Sequence, residues 1–322
     1  MFGAFLALSS AAFFGLNNAM LRRGVIKGSV LQAMAITVPF GVPVFVILAF
    51  AMGGFEAMAR WDVAPWLWMI AAGVVHFVIG RYGNYKATQT LGATLSTPIQ
   101  QVSILVALLL AFVFLGETIN LMNAFGIALV VIGPMMLVRR RKATLAAGRS
   151  KGFEPQYGPG LAWGAVCAFG YGTSPLFVAL GIADGGIADS VAGLLVSYSA
   201  AALVVLVVVA ALGGPAQLGP FERDTAGWFL LSGLFVALSQ FFRYIALAVA
   251  PVAVVVPIQR LSVVFRLIFN AMINREHEVF DRWIVLSILL SVIGAVALAA
   301  DTMFLLDLLA LSGAEWLATP LF

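Results

Sequence analysis

Charge is what this 322-residue sequence has least of: Asp, Glu, Lys and Arg together make up 10% of it, against about 25% in soluble domains. A chain that poor in charge cannot cover a water-facing surface. Cysteine is nearly absent as well. The single Cys167 lies in an apolar run, which excludes a disulfide framework or a CxxC metal or redox site within one chain and leaves it as a small buried hydrophobe. No Walker sequence, GxxxxGKS/T, is present, so the chain does not drive work by hydrolysing ATP itself. No HExxH, GxSxG or pair of carboxylates falls inside an apolar run, which removes the common bases and nucleophiles. The basic balance, a formal charge of +4 with a pI near 9.5, does not form a stripe with interleaved aromatics, so nucleic acid is not an expected partner. No cofactor, metal ligand or catalytic residue is expected.

Apolar residues are what it has instead: 62% of positions, with a mean hydropathy of +1.06. Roughly 20 apolar residues cross a hydrocarbon core about 30 Å thick. Runs of that kind lie at about 3–21, 30–52, 65–85, 93–115, 120–138, 158–181, 188–212, 226–248, 252–274 and 282–300. The expected fold class is therefore all-α, a polytopic membrane protein of ten transmembrane helices, with the lipid bilayer as its surroundings. Pro39, Pro43, Pro98, Pro175 and Pro257 fall inside these runs and are tolerated there because neighbouring helices satisfy the freed carbonyls. No basic residue precedes the first run, so it reads as a mature helix and not as a cleaved signal.

Lys and Arg give the orientation. Arg22, Arg23, Lys27, Arg139, Arg140, Arg141, Lys142, Arg149, Lys151, Arg223, Arg275 and Arg282 follow spans one, five, seven and nine, whereas only Arg60 lies on the other side. The positive-inside rule makes those loops cytoplasmic, puts both termini outside and fits the cell (inner) membrane. The basic stretch 139–157 then reads as a cytoplasmic linker. The amphipathic tail 301–322, interrupted by Asp301, Asp307 and Glu315, reads as an interfacial helix.

The chain repeats itself at an offset of 159 residues. Tyr85, Ala87, Pro98, Ile99, Gln100, Ser103 and Glu117 align with Tyr244, Ala246, Pro257, Ile258, Gln259, Ser262 and Glu276, and PIQQVS matches PIQRLS without a gap. Five spans per copy is odd, so the second copy enters the membrane from the opposite side. The expected organisation is two inverted repeats, 1–138 and 158–300, with a substrate path at their interface.

The segment YKATQTLGATLSTPIQQ, followed by LLLAFVFLGETINLMNAFGIALVVIGPMML, resembles the EamA-type repeat of the drug/metabolite transporter superfamily: an Ala-rich helix end, a Pro early in the fourth span, a Gly-Glu pair closing it and a Gly-containing fifth span. The second half keeps Pro257 and Glu276 but has Arg275 in place of the Gly, and is the more divergent copy. The resemblance implies a ten-span carrier with a central cavity lined mainly by spans one, three, four, six, eight and nine.

An ionisable residue within hydrocarbon is costly, and is by default a functional candidate. All fourteen carboxylates fall in loops, span ends, the linker or the tail, whereas Arg81, Arg243, Arg260 and Arg266 lie inside spans and Lys86 lies near a span end. With no internal acid to pair with, these cations must find carbonyls, snorkel, or face a wet cavity that holds an anion. Gln259 and Arg266 are seven apart and share a helix face, Arg260 lies about 100° round from Gln259, and Gln100 and Gln101 do likewise on span four. Arg260 is roughly 12 Å from the nearer end of its span, too deep for easy snorkelling. Arg243 lies near its span's outer end, where an interface anchor is the competing role. Tyr82 and Tyr85 share a face of span three, Gln240 and Tyr244 are four apart on span eight, and Asn17, Asn18, Tyr171 and Ser174 occupy the first spans of the two halves. Such groups suit a largely apolar pocket with a few orienting donors, and equally suit interhelical contacts. His76 reads as a packing residue.

These residues point to a secondary transporter, not an enzyme, that moves a small anionic or zwitterionic metabolite bearing a carboxylate or phosphate by alternating access. The Pro-bearing segments of spans four and nine would be its bending points. A flippase for lipids or lipid-linked phosphates shares the fold. An intramembrane enzyme acting on such phosphates would need a nucleophile or base that the spans lack. The sequence leaves monomer and homodimer open.

Overall fold

In a computed structural model, residues 2–116, 120–129, 132, 154–182, 185–220, 222–277 and 282–299 are described, with positions 316 and 319 besides. The basic linker 139–157 up to residue 153, the end of the fifth span and nearly all of the tail 301–322 lie outside the described residues.

The described chain is helical. Its elements are α1 (Phe2–Val25), α2 (Val30–Ala51), α3 (Gly54–Arg60), α4 (Val63–Gly73), a π-helical segment (Val74–Gly80), α5 (Arg81–Leu91), α6 (Ala93–Gln101), α7 (Ser103–Leu115), α8 (121–129), α9 (Tyr157–Ile182), α10 (Ile187–Ala211), α11 (Arg223–Val249), α12 (Val252–Arg260), α13 (Ser262–Ile273) and α14 (Arg282–Ala299), with short 3-10 turns between some of them. Among the described residues seven stretches are long and apolar enough to cross a membrane: 2–25, 30–51, 63–91, 157–182, 187–211, 223–249 and 254–273. A shorter apolar helix covers 99–114. Large apolar side chains such as Ile47, Phe50, Leu67, Leu203 and Leu206 stand exposed on the outside of the bundle. So much outward apolar surface suits lipid as the solvent, and the chain is a polytopic membrane protein.

Local chemistry sets several boundaries. Ser29 opens α2 with a reciprocal cap: its Oγ accepts from the Gln32 N–H at 3.0 Å, and Gln32 Oε1 accepts from the Ser29 N–H at 2.8 Å. Gly92 (φ +82°) closes α5 and Gly116 (φ +66°) closes α7, both in backbone conformations that a side chain would strain. Two helices run further than hydropathy indicates. The first reaches Val25, not 21, and the third reaches Leu91, not 85. The extra turns carry Arg22 and Thr88, which look like loop residues on a hydropathy scale but are turned into the bundle and buried.

Element bounds keep the 159-residue offset at two places. It separates Ala93 from Val252 at the starts of α6 and α12, and Ser103 from Ser262 at the starts of α7 and α13. The packing follows the same exchange. In one direction α1 lies against α11 and α13; in the other, α9 lies against α4, α5 and α7, while α2 and α10 pair with each other.

Small residues let these helices close on one another. A Cβ built on Gly73 would sit 2.2 Å from the Ser197 carbonyl oxygen, and one on Gly170 would sit 2.7 Å from the Gly80 Cα. The π segment is thus pressed between α9 and α10 with no room for a methyl group. Gly170→Ala is expected to cost about 1–3 kcal/mol by overpacking, read as a lower melting temperature in detergent. Gly158→Ala, in open space at the start of α9, should leave it unchanged.

Candidate functional site

Polar side chains gather where α1, α5, α6, α12 and α13 meet. A small cavity there is lined by Phe14, Asn18, Gln100, Gln101, Arg260, Ser262, Val263 and Arg266. It offers about 10 Å³ of space, room for about one water molecule. A larger groove of about 900 Å³, between α2, α4 and α10, is lined by apolar residues such as Val46, Trp66, Ile70 and Leu203 and contains no charged side chain. The cations are at the small cavity.

The two arginines of that cavity are held differently. Arg266, 4% exposed, donates from Nη1 to Gln100 Oε1 at 3.2 Å and from Nη2 to Asn84 Oδ1 at 3.4 Å and to Asn18 Oδ1 at a short distance. Asn84 Nδ2 donates to the same Asn18 oxygen at 3.3 Å. Three neutral amide oxygens therefore surround one guanidinium, with no carboxylate among them. Arg260, 7% exposed, has no partner for its guanidinium among the described residues, and its Nε is buried and unbonded. Only its backbone carbonyl is engaged, accepting from Gln101 Nε2 at 3.4 Å.

Helix breaks put these groups where they are. The N–H of Leu105 turns to the Val102 carbonyl at 3.0 Å, and the N–H of Val264 to the Leu261 carbonyl at 2.9 Å, so α6 gives way to α7 and α12 to α13 through one tight turn each. Both turns lie in the Pro-bearing spans, at Val102 and Leu261, 159 residues apart. Each turn draws a donor away from the carbonyl before it, those of Gln101 and Arg260.

A second pair of arginines lies nearby, 1% exposed each. Arg81 donates to the Tyr198 hydroxyl at 2.8 Å and to the Thr37 carbonyl at 3.5 Å, and its guanidinium lies over the rings of Phe77 and Tyr198 at 4.8 and 5.3 Å. Arg243 donates to Gln240 Oε1 at 3.1 Å and to Ser174 Oγ at 3.1 Å, and lies over the Tyr244 ring at 5.6 Å. Although Arg243 is near the end of its span by residue count, it is turned onto α9 and buried instead of reaching an interface.

The other sequence candidates divide between the cavity and the helix contacts. Gln259 donates to Ser10 Oγ at 2.9 Å, tying α12 to α1. Asn17 accepts from Ser232 Oγ at 2.7 Å, an α1–α11 contact away from the cavity. Tyr85 pairs with Thr37 at 2.9 Å and Tyr244 donates to Ser197 at 3.1 Å, each tying the third span of a half to a second span. Tyr82 meets the Trp163 ring edge-on at 5.3 Å, so it does not share Tyr85's surroundings. Tyr171 stacks on His76 at 4.4 Å and meets Phe14 edge-on at 5.9 Å. The sequence reading missed Asn84 and Tyr198. Asn84 lies 159 residues before Arg243, and a polar residue at the repeat position of a buried arginine was the signal available.

Arg22 ties three elements together. Its Nη1 donates to the Thr88 carbonyl at 3.2 Å and its Nη2 to the His277 carbonyl at 2.7 Å, linking α1 to the end of α5 and to the turn after α13.

Tyr198→Phe removes a hydroxyl that accepts from a buried cation and is expected to cost about 1.5–3 kcal/mol. Tyr244→Phe removes a neutral partner and should cost about 0.5–1.5 kcal/mol. Paired thermal melts of the purified variants check the order.

Comparison with known proteins bears on this geometry. Residues 1–139 match the model of the EamA-like transporter family, so the resemblance read from the sequence holds over the first half. The chain is 27% identical over 136 residues (42% of this chain, 34% of the relative) to a protein of Arabidopsis thaliana named probable magnesium transporter NIPA2. It is 26% identical over 136 residues (42% and 28%) to the magnesium transporter NIPA3 of Pongo abelii, and 26% identical over 133 residues (41% and 94%) to an uncharacterized transporter in the cobO 3' region of a Sinorhizobium species. The match spans about a third of the length of the first of these relatives. A solved structure described only as the crystal structure of a protein superposes with a TM-score of 0.63 at 15% identity, covering 94% of this chain and 96% of the other. That likeness concerns the fold alone.

Proposed function

We propose, for a chain whose first 139 residues match the EamA-like transporter family, a secondary transporter that carries a small anionic or zwitterionic metabolite through the central cavity by alternating access between two inverted five-helix halves. The observation that carries this reading is Arg260. A guanidinium keeps its proton, and burying it without a partner is costly. A transported carboxylate or phosphate would supply the missing acceptor in a charge-assisted, two-toothed contact. Arg266 adds a second positive charge, and the amide oxygens of Asn18 and Gln100 could receive the ammonium of a zwitterion.

The cavity favours an anion over the divalent cation in the names of two relatives. Among the described residues no group of three His, Cys, Asp or Glu side chains could hold a metal ion, and the carboxylates of the sequence fall in loops, span ends, the linker or the tail. A dication about 6 Å from one guanidinium would be repelled by about 5 kcal/mol at an effective dielectric constant of 20. A flippase for phosphate-bearing lipids is the second reading, since a headgroup could meet the same arginines. The apolar groove between α2 and α10 would then hold the acyl chain.

With room for about one water, the cavity is too small for a metabolite in this conformation. In liposomes, Arg260→Gln should reduce uptake of labelled phosphate and dicarboxylates at least tenfold with folding intact, and Arg260→Lys should retain part of it. Normal anion uptake by the Gln variant contradicts the reading. Asn18→Asp sets an acid beside Arg266, and should leave or raise the melting temperature while lowering anion uptake by a similar factor. Undiminished uptake in that variant counts against a cationic cavity.

A further inference from the structure

We propose that Gln101 and Arg260 form an exchange pair in which each residue's side chain takes the other's backbone carbonyl in opposite states of the transporter. This rests on the transport reading above and assigns Gln101, a residue that need not touch the substrate, a positioning role.

The two residues are equivalent in the repeat. They lie 159 positions apart, each is the last residue of its helix, and each is followed by a one-residue break, at Val102 and Leu261. Each break turns the next available N–H away from the carbonyl before it, so both carbonyls need a donor from elsewhere. In this structure the pair is engaged in one direction only. Gln101 Nε2 donates to the Arg260 carbonyl at 3.4 Å, while the Arg260 guanidinium has no partner among the described residues.

An inverted repeat reaches its opposite state when the two halves trade conformations. Trading them here turns a Gln101-to-Arg260 bond into an Arg260-to-Gln101 bond. The guanidinium is then free in one state and occupied by a protein carbonyl in the other. An anion bound to the free guanidinium meets a competitor as the halves exchange, which drives its release on the far side. The small side chain at Gln101 and the long cation at Arg260 make the two states unequal, so the two faces of the membrane should differ in affinity. The contact also explains why a neutral amide occupies the position in one half and a cation in the other: two guanidinia would repel at the point where the halves cross, and two amides would leave nothing to hold the anion.

The test measures the half-saturation constant for labelled phosphate and dicarboxylates from each face, using vesicles of fixed orientation, in Arg260→Gln, Gln101→Leu and the double variant Gln101→Arg, Arg260→Gln. Arg260→Gln is expected to lose uptake at least tenfold. The double variant, which moves the guanidinium to the equivalent position, is expected to recover uptake to within about threefold of the unaltered protein, with the higher-affinity face switched. Gln101→Leu removes the cap from one state only. It is expected to move the two half-saturation constants in opposite directions, each by about 3- to 10-fold, the worth of one hydrogen bond. The pair is overturned if the folded double variant stays as inactive as Arg260→Gln, or recovers without switching faces. It is also overturned if Gln101→Leu shifts both faces together or neither, a readout that stands even where the double variant does not fold. Normal uptake by Arg260→Gln would instead remove the anion site itself, and the exchange pair with it.

Discussion

A guanidinium buried among helices, with amides, hydroxyls, carbonyls and rings as its neighbours among the described residues, is the constraint from which the rest of this structure follows. Arg81, Arg243, Arg260 and Arg266 cannot shed their protons, and in the sequence the carboxylates fall in loops, span ends, the linker or the tail. Each needs oxygen dipoles or aromatic faces in compensation. Three of them have these: a tyrosine hydroxyl and a carbonyl for Arg81, a glutamine and a serine for Arg243, three amides for Arg266. Those contacts cross between helices, so satisfying the cations also ties α5 to α10, α11 to α9, and α13 to α1 and α6. The arginines order the bundle as well as charging it. Arg260 stands apart because no such partner for its guanidinium lies among the described residues.

Close packing and irregular backbone work together around that site. The π segment of the third span, pressed between Gly170 of α9 and Ser197 of α10, delivers Arg81 one residue beyond its end. The tight turns at Val102 and Leu261 bring the Gln101 side chain to the Arg260 carbonyl. Irregular helix at membrane depth is tolerated only where protein or a wet cavity satisfies the freed groups. Here it occurs at both walls of the polar centre.

Much of this was legible in the sequence. Apolar run length located the helices to within a few residues over most of the described chain, and the PIQQVS and PIQRLS match gave the offset that element bounds also keep. Arg260 stood out because depth can be counted along a helix. Less was legible where depth and facing part company. Arg243 is near a span end by residue count, yet the face it occupies is the one packed against α9. Arg22 reads as a loop residue because a hydropathy scale penalises charge without knowing that two carbonyls, on Thr88 and the turn at His277, wait for it. Asn17 and Asn18 are neighbours in sequence, and the 100° between them sends one to a helix contact with Ser232 and the other to the cavity. Asn84 and Tyr198 escaped notice because a lone amide or hydroxyl in an apolar run has no pattern of its own; only its partner in space reveals it.

The central claim is that the buried, partnerless guanidinium is an anion site, and ligand-dependent stability of the purified protein tests it most directly. A ligand that binds only the folded state raises stability by RT ln(1 + [L]/Kd). Melting curves in detergent, recorded against sodium phosphate, sodium dicarboxylates and magnesium at matched ionic strength, should show saturable stabilisation by one or more of the anions and none by magnesium. Stabilisation by magnesium alone, with every anion inert, would contradict the account.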